Sequence, residues 1–237
     1  MKQGGETLPQ LEHSSLSEKV YRLLCDALLK GHFKPGDRLR IRDLAEQMST
    51  SVTPVRDAIH RLHYDGAVEF QSVRDVRVVK LTSSSYLDIR EVRLPLEMLS
   101  ARKAAENAQP SDIHEIERML AENEAAIKCG DGICGAELNQ RFHFFLVEIS
   151  RLPVLEAVLR PLWMRTGPLI AQGYTAGGRK MIEHHYEVLE AIRSRRPDEA
   201  AKAMQLDLFE GGAALVRMLD DAQDRSSGRK STPTRRP

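Results

Sequence analysis

From Ser85 to Asp224 the chain contains almost nothing that alternates like a β-strand. Six apolar-periodic segments follow one another instead, over residues 86–107, 111–129, 133–151, 153–172, 178–195 and 197–222. The breaks between them are short: Gln109-Pro110, Cys129-Gly130-Asp131-Gly132, Leu152-Pro153, Gly173 and Arg196-Pro197. Breaks of this length join antiparallel neighbours, so the pattern predicts an all-helical bundle of six helices. Pro95 lies inside the first helix and removes the N–H that would bond the Glu91 carbonyl, so a kink or an opened turn is expected there.

Residues 15–82 read differently. Leu16, Val20, Leu23, Leu24, Ala27 and Leu28 recur at helical spacing until Gly31 and the Lys34-Pro35-Gly36-Asp37 turn. Ile41 to Met48 makes a short second helix. Ser49-Thr50-Ser51 supplies N-cap chemistry, and Thr53 to Tyr64 makes a third helix with Pro54 in its first turn. Ala67–Phe70 and Val76–Leu81 are β-like, with Gln71–Asp75 between them as a hairpin. Three helices followed by a two-stranded ribbon is the order of a winged helix-turn-helix; an ordinary helical subdomain is the competing reading. Ser51, Thr53 and Arg56 lie at the end of the third helix that would enter a major groove, Arg42 opens the second helix within reach of a phosphate, and Arg74 sits at the ribbon tip.

The charge of the 237 residues is divided along the chain. Residues 15–82 hold twelve Lys/Arg against nine Asp/Glu, residues 83–224 hold 17 against 23, and residues 225–237 hold five against none. A basic front and an acidic body suit different partners, and only the front suits a polyanion. The organisation expected is therefore a flexible arm over 1–14, a DNA-binding domain over 15–82, a helical domain over 83–224 and a basic, disordered tail over 225–237. No apolar run of membrane-spanning length and no signal-peptide core is present, which points to a cytoplasmic protein. The three cysteines, Cys25, Cys129 and Cys134, lack C-x-x-C spacing and read as reduced and structural.

Polar residues on the apolar stripes of the bundle are the functional lead, because burial penalises polarity that lacks a partner. His185 is central to its helix's apolar face, with His184 at the edge. Asn139 and His143 are four apart on one side of another helix. Asp207 lies in the stripe Ala200, Met204, Gly211, Ala214, Met218, and Arg93 lies between Ile89 and Leu96. Singly, each reads as a satisfied core polar residue. Together, Asn139, His143, His185 and Asp207 could converge on a divalent metal suited to N/O ligands, such as Zn, Ni, Mn or Fe, while Arg93 clamps a carboxylate beside it.

Two resemblances extend this reading. Gly31 to Leu39, Arg42-Asp-Leu-Ala45, Thr53-Pro-Val-Arg56-Asp-Ala-Ile and Asp65-Gly66 resemble the N-terminal domain of the GntR family of bacterial transcription regulators, over residues 16–82. The resemblance implies DNA contacts by Arg42, Thr53 and Arg56. Two departures are Val52, where the family usually has Arg, and the wing tip Ser72-Val73-Arg74-Asp75-Val76, where it usually has Gly. Arg93-Leu-Pro-Leu-Glu97, Asn139-x3-His143 and His185-x3-Leu-Glu-Ala191-Ile resemble the FCD ligand-binding domain of FadR-type members, over residues 86–218, with six helices as in the VanR branch. That resemblance implies a metal that helps hold a small organic acid, with Asn139, His143 and His185 matching three ligands and Asp207 standing where the family has its last His.

The function expected is that of a homodimeric, ligand-responsive repressor that binds a double-stranded DNA operator and senses a small carboxylate through Arg93 and Asn139, with no membrane partner. A metal-dependent enzyme acting on a small carboxylate and a DNA-binding protein with no effector response are the alternatives. Against an enzyme, no H-E-x-x-H, G-x-S-x-G, P-loop or glycine-rich nucleotide motif occurs.

Overall fold

The computed structural model describes residues 16–176 and 178–226. The expected arm over 1–14 and all of the expected tail beyond Ser226 lie outside the described residues. The N-terminal unit contains α1 (Leu16–Leu29), α2 (Ile41–Gln47), α3 (Val52–Tyr64) and the antiparallel pair β1 (Val68–Ser72) and β2 (Asp75–Val78). In α1, Val20, Leu24 and Leu28 fall four apart and are buried together with Tyr21 and Cys25, whereas Leu23 faces out. The ribbon turns more tightly than expected, over Val73 and Arg74 alone, with register Val68↔Val78 and Phe70↔Val76. His60 stacks on Phe70 at 5.1 Å and His63 bonds the Val68 carbonyl at 3.0 Å, which pins the ribbon to α3. Ser51 has the backbone of an N-cap but caps nothing with its side chain, contrary to the expectation from the Ser/Thr run.

The helical body is α4 (Ser83–Asn107), α5 (Pro110–Cys129), α6 (Gly132–Ser150), α7 (Pro153–Thr175), α8 (Glu183–Arg193), α9 (Pro197–Leu206) and α10 (Gly212–Ser226). Thr82 starts α4 with a capping box shared with Ser85. The helix runs unbroken through Pro95, because Pro95 and Glu91 are exposed and the carbonyl left without its partner faces water.

Two of the six expected segments are subdivided. A 3-10 turn, Gly178–Met181, precedes α8, and a π-turn, Asp207–Gly211, joins α9 to α10 in one continuous helical run. A π-turn carries one residue more than a helical turn. Beyond it the buried stripe is therefore displaced, from Ala200, Met204 and Asp207 to Gly212 and Leu215 rather than to Ala214 and Met218. The last helix also runs to Ser226, two residues past the expected domain edge.

One continuous apolar cluster spans both units, from Leu24, Leu28 and Ile59 to Leu159, Trp163, Met164 and Ile170. The seam is the crossing of α1 and α7. A Cβ on Gly167 would stand 2.5 Å from the Leu28 carbonyl oxygen, and one on Gly31, at φ 73°, would stand 2.2 Å from the Ala171 Cβ. Glycine at both positions lets the two backbones touch. His32 and Glu137 add a polar contact at 2.7 Å on the same side. All three cysteines are free, and only Cys25 has the expected buried setting: burial pushes its thiol up to about 11, while Cys129 is exposed.

Candidate functional site

Four helices and the π-turn converge on a small cavity of about 30 Å³, lined by Tyr86, Arg93, Asn139, His143, Trp163 and Asp207 among others. Arg93 is five per cent exposed and Glu97 one per cent, so neither charge is hydrated. Arg93 Nε donates to Glu97 Oε1 at 2.7 Å, Arg93 Nη1 donates to Thr166 Oγ1 at 3.1 Å, and the guanidinium lies 4.1 Å from the Trp163 ring centre. Trp163 Nε1 donates to the same Glu97 oxygen at 3.2 Å. Burial pushes the Glu97 carboxyl up, but Arg93 and His143 outweigh it and hold it down at about 2.

His143 stands between two carboxylates. Its Nδ1 is 2.6 Å from Glu97 Oε2 and its Nε2 is 3.4 Å from Asp207 Oδ2. The other Asp207 oxygen is 3.2 Å from His185 Nε2. Burial lowers the affinity of His185 for a proton, and Asp207 opposes that only in part, which favours the neutral imidazole that a metal requires. The ring of His185 stacks on Phe142 at 3.9 Å, which fixes its plane. His143, His185 and Asp207 each offer a donor atom within 4.8 Å of the others, and they are the group of this kind found among the described residues.

The hydrogen bonding of this cluster is incomplete. Both nitrogens of His185, Nδ1 of His143, Oδ1 of Asp207 and Oε2 of Glu97 are buried without an aligned hydrogen-bond partner, despite their short separations. Buried polar atoms left in this state are costly unless a proton, a water or a cation completes them. The Asp207–imidazole separations of 3.4 and 3.2 Å match the spacing of neighbouring ligands about 2.1 Å from a common ion. The residues present thus fit a divalent cation.

Asn139 differs from the other three sequence-derived ligands. Its Oδ1 accepts a bond from Tyr174 Oη at 3.0 Å, which leaves its amide nitrogen to the cavity. Glu97, Trp163, Thr166, Tyr174 and Tyr86 were not singled out by the sequence reasoning. Glu97 carried a usable signal, four residues after Arg93 on the same stripe. Trp163, Thr166 and Tyr174 lie on α7, which is buried over so much of its length that no stripe marks them.

At the other end of the molecule, Arg42 on α2 and Thr53 and Arg56 on α3 are exposed, as are Ser51 before α3 and Arg74 at the ribbon turn. The side chains of Arg42, Arg56 and Arg74 make no hydrogen bond or ion pair among the described residues. Arg38 and Arg77 are instead committed to Asp75, at 3.1 and 3.2 Å, and brace the ribbon. The face therefore keeps uncommitted cations at the helix start, the recognition helix and the wing, an arrangement suited to a phosphate backbone flanking a groove.

Residues 16–78 match the model of bacterial regulatory proteins of the gntR family, and residues 88–208 match the FCD domain. The chain belongs to the GntR family, in its FCD-containing branch. The HTH-type transcriptional regulator McbR of Escherichia coli K12 is 30% identical over 190 residues, covering 78% of this chain and 86% of that protein. The solved structure of E. coli McbR/YncC superposes with a TM-score of 0.79 at 27% identity, covering 87% of this chain and 99% of the other. The HTH-type transcriptional repressor NanR of Citrobacter rodentium is 26% identical over 226 residues, covering 84% of each chain. The relatives are transcription regulators, not enzymes, and this GntR protein is likewise a DNA-binding regulator. Among the described residues no helix is long and apolar enough to cross a membrane.

Proposed function

We propose that this GntR/FCD regulator is a homodimeric repressor in the cytoplasm whose hold on its operator is altered by a small carboxylate bound in the cavity between α4, α6, α7 and α10. The observation that carries the reading is the buried Arg93 beside the incompletely bonded His143, His185 and Asp207. His143, His185 and Asp207 would hold a divalent cation, with Asn139 beside them facing the effector through its amide nitrogen. The cation would supply positive charge at the point where the carboxylate arrives.

Formal charge supports this order of events. Arg93 contributes one positive charge to the cavity, Glu97 and Asp207 one negative charge each, so a carboxylate alone would enter a site of the wrong sign. A divalent cation reverses that sign. Arg93 then offers its remaining donors to the acid, which makes charge-assisted bonds.

At the DNA end, Arg42, Ser51, Thr53, Arg56 and Arg74 would meet the operator: Thr53 and Arg56 from the recognition helix, Arg42 and Arg74 at phosphates. Reading a two-fold operator needs two recognition helices about 34 Å apart, so a change at the cavity that alters the dimer alters affinity. The test is to select an operator from random duplexes with the purified protein. Release is then measured against a panel of small carboxylates, before and after chelation and reloading with Zn, Ni, Mn or Fe. Carboxylate-dependent release that needs the metal is expected. An operator affinity indifferent to every acid, metal-loaded or not, rejects the effector reading in favour of a constitutive DNA-binding protein.

A further inference from the structure

Arg38 belongs to the segment that leads into α2, yet it lies beside the ribbon. The Gly36 N–H donates to the Val78 carbonyl at 2.9 Å, the Val78 N–H to the Asp37 carbonyl at 2.9 Å and the Leu39 N–H to the Val76 carbonyl at 2.8 Å. Residues 36–39 thus run antiparallel along the other edge of β2, with Arg38 opposite Arg77. The buried Val76 and Val78 alternate with Asp75 and Arg77 along β2, so the two charged side chains share the outer side. Arginines directly opposite each other on one face repel.

Asp75 answers both. Its Oδ2 accepts from Arg77 Nε at 3.3 Å and from Arg77 Nη2 at 3.2 Å. Its Oδ1 is shielded from water and meets Arg38 Nε at 3.1 Å as a close charge, without an aligned hydrogen bond. Arg38 Nη2 donates in addition to the Arg74 carbonyl at 3.2 Å, and Arg77 Nη1 to the Gly36 carbonyl at 3.3 Å. One carboxylate therefore ties the backbone of the wing tip to the segment that ends four residues later at Arg42.

Two features make this more than a prop for the fold. The three side chains keep 44, 23 and 39 per cent of their exposure at Arg38, Asp75 and Arg77, and ion pairs that wet add little to stability. Asp75 also sets a negative charge on a face whose other uncommitted charges are cations, where phosphates would repel it. The tip it adjoins carries Val73, 93 per cent exposed, and the unpaired Arg74.

We propose that Asp75 is a positioning residue for DNA recognition: by gripping Arg38 and Arg77 it holds the tip, Val73 and Arg74, at a fixed place relative to α2, so that Arg74 meets the operator without first being ordered. This rests on the reading of the wing tip as part of the DNA face.

The experiment measures fluorescence anisotropy of the full-length protein on its selected operator and on an unrelated duplex of equal length, with thermal melting as the check on folding. Asp75→Asn removes a negative charge, which by charge alone tightens binding to both duplexes. The expected result is opposite in sign for the two: the unrelated duplex bound as well as by the wild type or better, and the operator about three- to tenfold more weakly, the size of re-ordering one long side chain. Arg38→Lys keeps the charge but not the fork that reaches both Asp75 and the Arg74 carbonyl; it should lose the same operator preference, and it decides the matter should Asp75→Asn fail to fold. Arg74→Ala should cost less operator affinity in the Asp75→Asn background than in the wild type, because the order it depends on is already lost. No change on either duplex, an equal change on the two, or losses at Asp75 and Arg74 that simply add, overturns the assignment while leaving the tip on the DNA. Arg74→Ala that binds the operator as the wild type does overturns the placement of the tip, and the positioning role with it.

Discussion

Arg93 carries its charge where a bare guanidinium would be unstable, and Glu97 is what permits it. The pair is buried, and Glu97 also receives Trp163 and touches His143. Glu97→Ala is therefore expected to destabilise the fold by about 3–5 kcal/mol in urea denaturation, because it strands a buried cation; a loss below about 1 kcal/mol would show that water reaches Arg93. The proposed metal ligand His185 makes no contact with this pair, so it can be tested separately. His185→Ala should abolish bound metal and effector response while leaving operator binding, since the DNA face is on α2 and α3. Arg93→Ala should keep the metal and weaken the carboxylate by about 1.5–3 kcal/mol, the value of a charged hydrogen bond. Elemental analysis and effector titration separate the two, and Trp163, the single tryptophan, gives a fluorescence readout beside the site. If both variants respond to effector as the wild type does, the cluster is core and the sensing site is elsewhere.

Among the elements, α3 has the most direct consequence for function. Its inner face of Val55, Ala58, Ile59 and Leu62 is buried and holds the helix, while Thr53 and Arg56 are free to face DNA. Arg56→Ala should weaken operator binding severely at unchanged thermal stability. A variant that shifts the operator at wild-type protein concentrations would mean that another element reads the groove. Most helices of both units and the ribbon were legible because their burial is one-sided, a period of 3.6 or 2 surviving in the sequence only when one face meets water; α7, buried nearly all round in its second half, was legible from its length and its flanking breaks instead. The π-turn at Asp207–Gly211 was not legible, since an inserted residue shifts a stripe without leaving a break, and Ala214 still reads as the next core position. The cavity was legible in Arg93, Asn139, His143, His185 and Asp207 because these are polar residues on otherwise apolar faces. It was not legible in Tyr86 or Tyr174, where an aromatic ring on a buried face reads as core and its hydroxyl has no signature of its own. Ser51 shows the reverse failure, a residue with capping chemistry whose backbone uses it without its side chain.

On the scale of the whole molecule, the basic C-terminal run and the seam between the two units are expected to act on DNA binding in different ways. Residues 225–237 bring five Lys/Arg and no acidic residue. Deleting them should flatten the salt dependence of DNA binding by about 0.9 in log–log slope for each phosphate that is no longer neutralised, with operator preference kept; an unchanged slope would mean that the run does not touch DNA. The seam makes a prediction of another kind. Because one apolar cluster runs from α1 through α7 to the cavity wall, the DNA-binding unit has no core boundary at which it could unfold alone, and calorimetry should record one transition. Metal should raise that transition as a whole, since a ligand that binds only the folded state stabilises everything that unfolds with its site. Gly167→Val is the variant that tests the coupling. Its Cβ would start 2.5 Å from the Leu28 carbonyl and 2.9 Å from that of Leu29, both backbone atoms, so α1 has to move away from α7. The expected result is two transitions, of which only the one from the helical body rises with metal, together with operator binding that no longer answers to effector. A single metal-sensitive transition in Gly167→Val would show that the units are coupled by contacts other than the α1–α7 crossing.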